Sequence, residues 1–146
     1  MNKEYAIVTD GSCDLPRELC QEKGITVVPF YVSFDGEKYE KEIVEMPIRQ
    51  FYEDMVKNPK VFPKSSMPSV QDYMDAFMPI VQEGKAIICI CITTKFSGSM
   101  QSALNARMMI LEQHPDAEIT VIDATINTVL QGIYVLEAQK MKEAGV

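Results

Sequence analysis

Short apolar runs alternate with amphipathic stretches along this chain of 146 residues. Four of the runs are rich in Val and Ile, which predicts buried β-strands. They cover residues 5–9, 25–34, 86–92 and 118–123. Strands that alternate with helices pair in parallel through crossover connections. The pattern therefore predicts an α/β fold, with a mostly parallel sheet and helices on both faces.

The predicted helices occupy the amphipathic stretches that flank these strands. They lie at residues 15–23, 48–56, 70 onward, 100–111 and 129–144. Ser69 is predicted to cap the third helix, and Asp72 completes a capping box with it. Pro79 should bend or shorten the same helix, because it lacks a backbone N–H.

Turn signals mark two further segments. Asp35 and Gly36 predict a turn, after which residues 38–40 are expected to return as a short edge strand. Residues 58–69 contain three prolines, and this composition predicts a loop.

Composition narrows the classes of partner. The net charge of −7 argues against a nucleic acid or an anionic membrane as the main partner. No apolar segment is long enough for a signal peptide or a membrane span, so the expected location is the cytoplasm. The four cysteines form no C-x-x-C pair and His114 is the only histidine, so we expect no metal site.

Small polar residues gather where the predicted strands end. They form the groups Thr9–Ser12, Thr93–Ser99 and Asp123–Thr128, and a fourth group follows at residues 65–69. Ligands of open parallel sheets bind outside the carboxyl ends of the strands. Hydroxyls beside helix N-termini, where backbone N–H groups lack partners, suit a carboxylate or a phosphate.

Simpler interpretations of these groups stay open. Ser and Thr cap helices in most proteins, so a structural domain with ordinary caps is one alternative. Asp10 and Asp123 would be a base or metal ligands in an enzyme that acts on a small phosphorylated or carboxylated metabolite. We favour instead that they hold neighbouring loops through backbone N–H groups. No P-loop, dinucleotide fingerprint or G-x-S-x-G elbow is present.

Four separated motifs resemble the DegV family of bacterial fatty-acid-binding proteins, which includes the carrier subunits of fatty acid kinase. IVTDGSCDLP resembles the family's I-x-T-D-S-[ST]-x-D-L-P, and SSMPS resembles T-S-Q-P-S. TTKFSGSMQSALNA resembles S-S-x-L-S-G-T-Y-Q-S-A, and VIDA resembles V-I-D-S. The four motifs span residues 6–124 in the family's order.

The resemblance implies a non-catalytic carrier that binds a long-chain fatty acid and needs no cofactor. A separate ATP-dependent kinase would convert the bound acid to acyl phosphate for phospholipid synthesis. Carried over by motif, the residues implied at the ligand carboxylate are Ser65, Ser66, Ser97 and Gly98. Those with a possible supporting role are Asp10, Ser12, Thr94 and Asp123.

The resemblance covers only the N-terminal domain of that family. Residues 1–146 are expected to be this domain, and the C-terminal domain, which supplies a basic head-group Arg and His in the family, is absent from the chain. We therefore expect weak fatty-acid binding by this piece, or a homodimer that covers its apolar surface. The chain departs from the family motifs at Gly11, Met67 and Ala124.

Overall fold

The computed structural model describes residues 4–146. In chain order the strands are β1 (Tyr5–Asp10), β2 (Thr26–Val28), β3 (Tyr31–Ser33), β4 (Glu40–Lys41), β5 (Lys64–Ser66), β6 (Ala86–Cys91) and β7 (Ile119–Asp123). The helices are α1 (Arg17–Lys23), α2 (Ile48–Lys57), α3 (Val70–Gln82), α4 (Ser99–Gln113) and α5 (Thr128–Glu143). A single 3₁₀ turn, Gly11–Cys13, follows β1.

The main sheet is parallel and has the strand order β2-β1-β6-β7. Its strands are short and apolar, as expected for a sheet that is buried on both faces. Tyr73 and Phe77 of α3 and Ile110 of α4 pack with Val8 on one face. Cys20 of α1 and Val135 of α5 pack on the other face. The predicted α/β fold with helices on both faces is confirmed.

The predicted strand over residues 25–34 is wrong as a single element. It is two strands, β2 and β3, which are separated at Pro29. A proline cannot donate to a strand ladder. β2 pairs in parallel with β1, whereas β3 belongs to a second sheet. The chain therefore leaves the main sheet at this point.

That second sheet is small and antiparallel, with the order β4-β3-β5. β5 lies inside residues 58–69, so the prediction of a loop over that whole segment is wrong. Its residues, Lys64–Ser66, are all exposed, and they show no apolar alternation that would have indicated a strand. Backbone pairing with β3 alone defines this edge strand. The predicted edge strand at 38–40 lies instead at Glu40–Lys41.

The helix prediction at Ser69 is confirmed in detail. The Ser69 hydroxyl accepts a hydrogen bond from the Asp72 N–H at 3.1 Å, and the Asp72 carboxylate accepts one from the Ser69 N–H at 2.8 Å. Pro79, which we expected to bend or shorten α3, lies inside the helix, which continues to Gln82. Pro79 lies one turn before the helix end.

A buried carboxylate joins the ends of the two central strands. Asp10, the last residue of β1, accepts hydrogen bonds from the Ile92 N–H at 2.9 Å and the Ser99 hydroxyl at 2.9 Å. It also accepts one from the Gln131 amide of α5 at 2.9 Å. Burial raises the Asp10 pKa, and these hydrogen bonds oppose that effect. The side chain thus ties β1 to the loop after β6 and to two helices.

We expect Asp10→Ala to lower the free energy of unfolding by roughly 2–4 kcal/mol, because it leaves several buried donors without an acceptor. Asp123→Ala is the matched control, since Asp123 ends β7 in the same way but lies at the surface. Its expected cost is about 1 kcal/mol. Urea denaturation of both variants measures the difference, and equal losses would contradict the structural role of Asp10.

Candidate functional site

A groove lies at the carboxyl ends of β1 and β6. These strands are neighbours, but β1 is followed along the chain by β2 on one side, whereas β6 is followed by β7 on the other. Such a switch point opens a crevice where open α/β sheets bind ligands. The groove has a volume of about 420 Å³ and is lined by Gly11, Ser12, Asp14, Phe30, Val32, Glu42, Ser65, Met67, Ile92, Phe96 and Ser97.

Strand pairing brings Ser65 to this groove. Ser65 lies opposite Val32 in the β3–β5 pair, and both residues line the groove. Successive side chains of a strand point to opposite faces. Ser66, which lies opposite Tyr31, therefore belongs to the other face and does not line the groove. The structure brings Ser65 and Ser97 together and leaves Ser66 outside.

Two serine hydroxyls of the groove are already used as acceptors. The Ser97 hydroxyl accepts the Ser99 N–H at 3.1 Å, and the Ser12 hydroxyl accepts the Thr128 N–H at 3.3 Å. A serine hydroxyl has one hydrogen to donate besides its acceptor lone pairs. Each serine therefore keeps its own O–H for a ligand, which favours an anionic oxygen as the binding partner.

Gly98 lies between the groove and the first turn of α4. A Cβ at this position would lie 2.8 Å from the Met67 sulfur, so the absence of a side chain allows the SSMPS segment to approach closely. Gly98 is the N-cap residue of α4 and offers no side chain to cap it. The first amide of α4, the Ser99 N–H, donates to Ser97, and the next amides of the first turn have no acceptor within the helix.

Three of the supporting candidates have structural partners instead. Asp10 is buried beneath the groove in the network described above. Asp123 accepts the Thr94 hydroxyl at 2.7 Å and the Thr125 N–H at 2.7 Å, and these bonds hold its pKa below the ordinary range. Thr94 and Asp123 therefore fasten the loop after β6 to the loop after β7. Neither of them lines the groove.

Glu42 is a groove residue that the sequence did not indicate. The Glu42 carboxylate accepts the Phe30 N–H at 3.0 Å and lies against Gly11. Burial, followed by the negative charges of Asp14 and Asp10, raises the Glu42 pKa. No local motif marks Glu42, because only the pairing of the second sheet brings it to the end of β1.

An apolar cavity adjoins the groove and shares part of its wall. Its volume is about 120 Å³, and it shares Gly11, Asp14, Val32 and Glu42 with the groove. Its other lining residues are mainly apolar: Leu15, Ile43, Met46, Ile48, Phe51 and Tyr52. The site therefore has a hydroxyl-rich end and an apolar end, with a carboxyl group where they meet.

No Lys, Arg or His is among the residues that line the groove or the cavity in the described part of the chain. The same part, residues 4–146, contains no group of three or more His, Cys, Asp or Glu side chains placed to hold a metal ion. Among its helices, none is both long and apolar enough to cross a bilayer. The groove therefore offers a ligand hydroxyl groups, backbone amides, apolar side chains and the carboxyl groups of Asp14 and Glu42.

A doubly wound α/β protein with a groove at its switch point is the class that this geometry defines. Within it, the family model described as "Uncharacterised protein, DegV family" matches residues 4–146. The chain therefore belongs to the DegV family. A DegV domain-containing protein of Clostridium perfringens is 31% identical over 95% of this chain and 48% of its own length. Another, from Caldanaerobacter subterraneus, is 34% identical over 98% of this chain and 49% of its own length.

Solved structures share the fold. A stearic acid-binding protein of Eubacterium ventriosum is 45% identical and has a TM-score of 0.94 over 97% of this chain and 48% of its own. DegV of Bacillus subtilis, a fatty acid binding protein, is 27% identical and has a TM-score of 0.85. The match covers 99% of this chain and 49% of the Bacillus subtilis chain. The chain thus spans about half the length of the relatives it matches.

Glu42→Gln is expected to change the pH dependence of stability. The Glu42 pKa rises on folding above its ordinary value of 4.5, so the folded state binds more protons than the unfolded state. The free energy of unfolding therefore falls as the pH rises from 4.5 through the raised pKa. Gln keeps the acceptor for Phe30 and carries no charge. The variant should therefore gain stability relative to the wild type at neutral pH. This gain should shrink as the pH falls through the raised pKa of Glu42 and should be absent below pH 4.5. Thermal unfolding across pH measures it, and a constant difference would contradict the assignment.

Proposed function

We propose that this chain binds a long-chain fatty acid in the switch-point groove and presents its carboxylate to a separate ATP-dependent kinase. The observation that carries the proposal is a groove with hydroxyl donors that shares wall residues with an apolar cavity beside it. Similar proteins of Eubacterium ventriosum and Bacillus subtilis bind fatty acids. The chain itself performs no chemical step under this proposal.

Ser65 and Ser97 orient the fatty-acid carboxylate. Both line the groove, and the Ser97 hydroxyl is held by the Ser99 N–H so that its hydrogen can be donated to the ligand. Ser12, which also lines the groove, supplies a third hydroxyl. The N-terminus of α4 adds unpaired amides and the positive end of the helix dipole, which favours negative charge by roughly 0.3–1 kcal/mol.

The acyl tail extends from the hydroxyl groups toward the apolar cavity. Burying each methylene contributes about 0.8 kcal/mol, so enclosure of the tail dominates the affinity. The cavity, which Met46 and Phe51 line, holds only about 120 Å³. This volume suits part of a long chain, and the remainder needs further cover.

We also propose that these 146 residues form one domain of a two-domain site. The relatives it matches are about twice as long. Phe96 at the groove is 75% exposed, and an apolar face of α5 is uncovered, with Val129, Leu130, Ile133 and Tyr134 all exposed. A second domain would cover such surfaces and supply the cation that the groove lacks. A second copy of the chain is the alternative cover.

We expect the chain alone to bind stearic acid weakly, and we expect tighter binding when it is joined to the C-terminal half of the Eubacterium ventriosum protein. Isothermal titration of both forms with the same stearic acid preparation measures the difference. Mass spectrometry of ligand extracted from the purified two-domain form provides an independent readout. Equal affinities would contradict the need for a second domain, and a small polar metabolite in the extract would contradict fatty-acid binding.

Ser97→Ala in the two-domain form should weaken stearic-acid binding about tenfold, because it removes one hydrogen bond to a charged group. Ser65→Ala should weaken it to a similar extent. Ser66→Ala is the matched control, since Ser66 belongs to the opposite face of the same strand. Circular dichroism verifies that all three variants fold, and an equal effect of the three substitutions would count against the assigned roles.

A further inference from the structure

Glu42 occupies the junction between the hydroxyl-rich groove and the apolar cavity. It is one of four residues that line both, so a ligand that extends from one into the other would lie against the wall to which Glu42 belongs. Because this path is the one that the proposed function assigns to the acyl tail, the inference below rests on that function.

Gly11 makes room for the Glu42 carboxyl group. A Cβ at position 11 would lie 1.8 Å from Glu42 Oε1 and 2.9 Å from its carboxyl carbon. Any other residue at Gly11 would therefore displace this group. The carboxylate is held in place by the Phe30 N–H at 3.0 Å, and the Glu42 N–H donates to the Phe30 carbonyl at 2.9 Å. The group is thus a fixed feature of the groove wall.

The second carboxyl oxygen of Glu42, Oε2, has no hydrogen-bond partner among the described residues. Within residues 4–146, Oε2 accepts no hydrogen bond and the side chain forms no ion pair. The neighbouring charges, Asp10 and Asp14, are also negative. An unsubstituted methylene chain that covers this oxygen would exclude water from it and would offer no hydrogen bond in exchange. A hydroxyl group at the same depth would donate the missing hydrogen bond.

We propose that Glu42, seated on Gly11, is a specificity-determining residue that selects acyl chains carrying a hydroxyl group partway along their length. A site built to hydrogen-bond a ligand hydroxyl discriminates strongly against the analogue that lacks it. The ligand class is therefore a hydroxylated long-chain fatty acid, with its carboxylate at Ser65 and Ser97 and its hydroxyl at Glu42. Unsubstituted chains bind less tightly.

The test compares stearic acid with a positional series of monohydroxystearic acids, titrated into the chain and into its two-domain form. At least one positional isomer should bind about tenfold more tightly than stearic acid. Glu42→Leu should abolish that preference, mainly by improving stearic-acid binding. Glu42→Gln should retain much of it, because the amide oxygen still accepts the hydroxyl hydrogen.

Gly11→Ser provides a second variant should Glu42→Leu fail to fold. Its added Cβ displaces the carboxyl group while Glu42 itself remains, so the hydroxyl preference should also be lost. Thermal unfolding of each variant separates an effect on folding from an effect on binding.

The outcomes separate this inference from the proposed function. Equal binding of stearic and hydroxystearic acids by the wild type overturns the role of Glu42 and leaves fatty-acid binding intact. A hydroxyl preference that survives both Glu42→Leu and Gly11→Ser also overturns it. If no acyl ligand binds to either form of the protein, the proposed function fails, and this inference fails with it.

Discussion

The site depends on one buried carboxylate, that of Asp10. Its hydrogen bonds to the Ile92 N–H, the Ser99 hydroxyl and the Gln131 amide join β1 to the loop after β6 and to both α4 and α5. A charge taken out of water is costly unless it is well hydrogen-bonded. The Asp10 carboxylate therefore accepts all of its hydrogen bonds only when these elements meet in one arrangement. The groove opens directly above this carboxylate.

The second sheet converts this crevice into a bounded groove. β3 leaves the parallel sheet after Pro29 and pairs with both β4 and β5. The pairing brings Ser65 and Glu42, which are distant in sequence, to the groove that Ser97 also lines. A strand that is too polar to be recognised from its side chains thus completes the site.

The charged residues of the described groove are not those that would bind a carboxylate ligand without help from another domain. Two acidic residues, Asp14 and Glu42, line it, and no basic residue of the described chain does. Neutral hydroxyls and helix amides orient an anion, but they supply less attraction than a desolvated cation would. The proposals of a second domain and of a hydroxylated ligand both follow from this imbalance.

The sequence by itself determined the α/β class, the positions of β1, β6 and β7, the capping box at Ser69 and the family, because apolar periodicity and contiguous motifs are local properties. It also indicated Ser65 and Ser97 through the family resemblance. Only the tertiary structure decided that residues 25–34 divide between two sheets, that β5 exists and that Ser66 faces away. The pairing of distant strands also decided that Glu42 packs on Gly11, and no local pattern records such long-range backbone contacts.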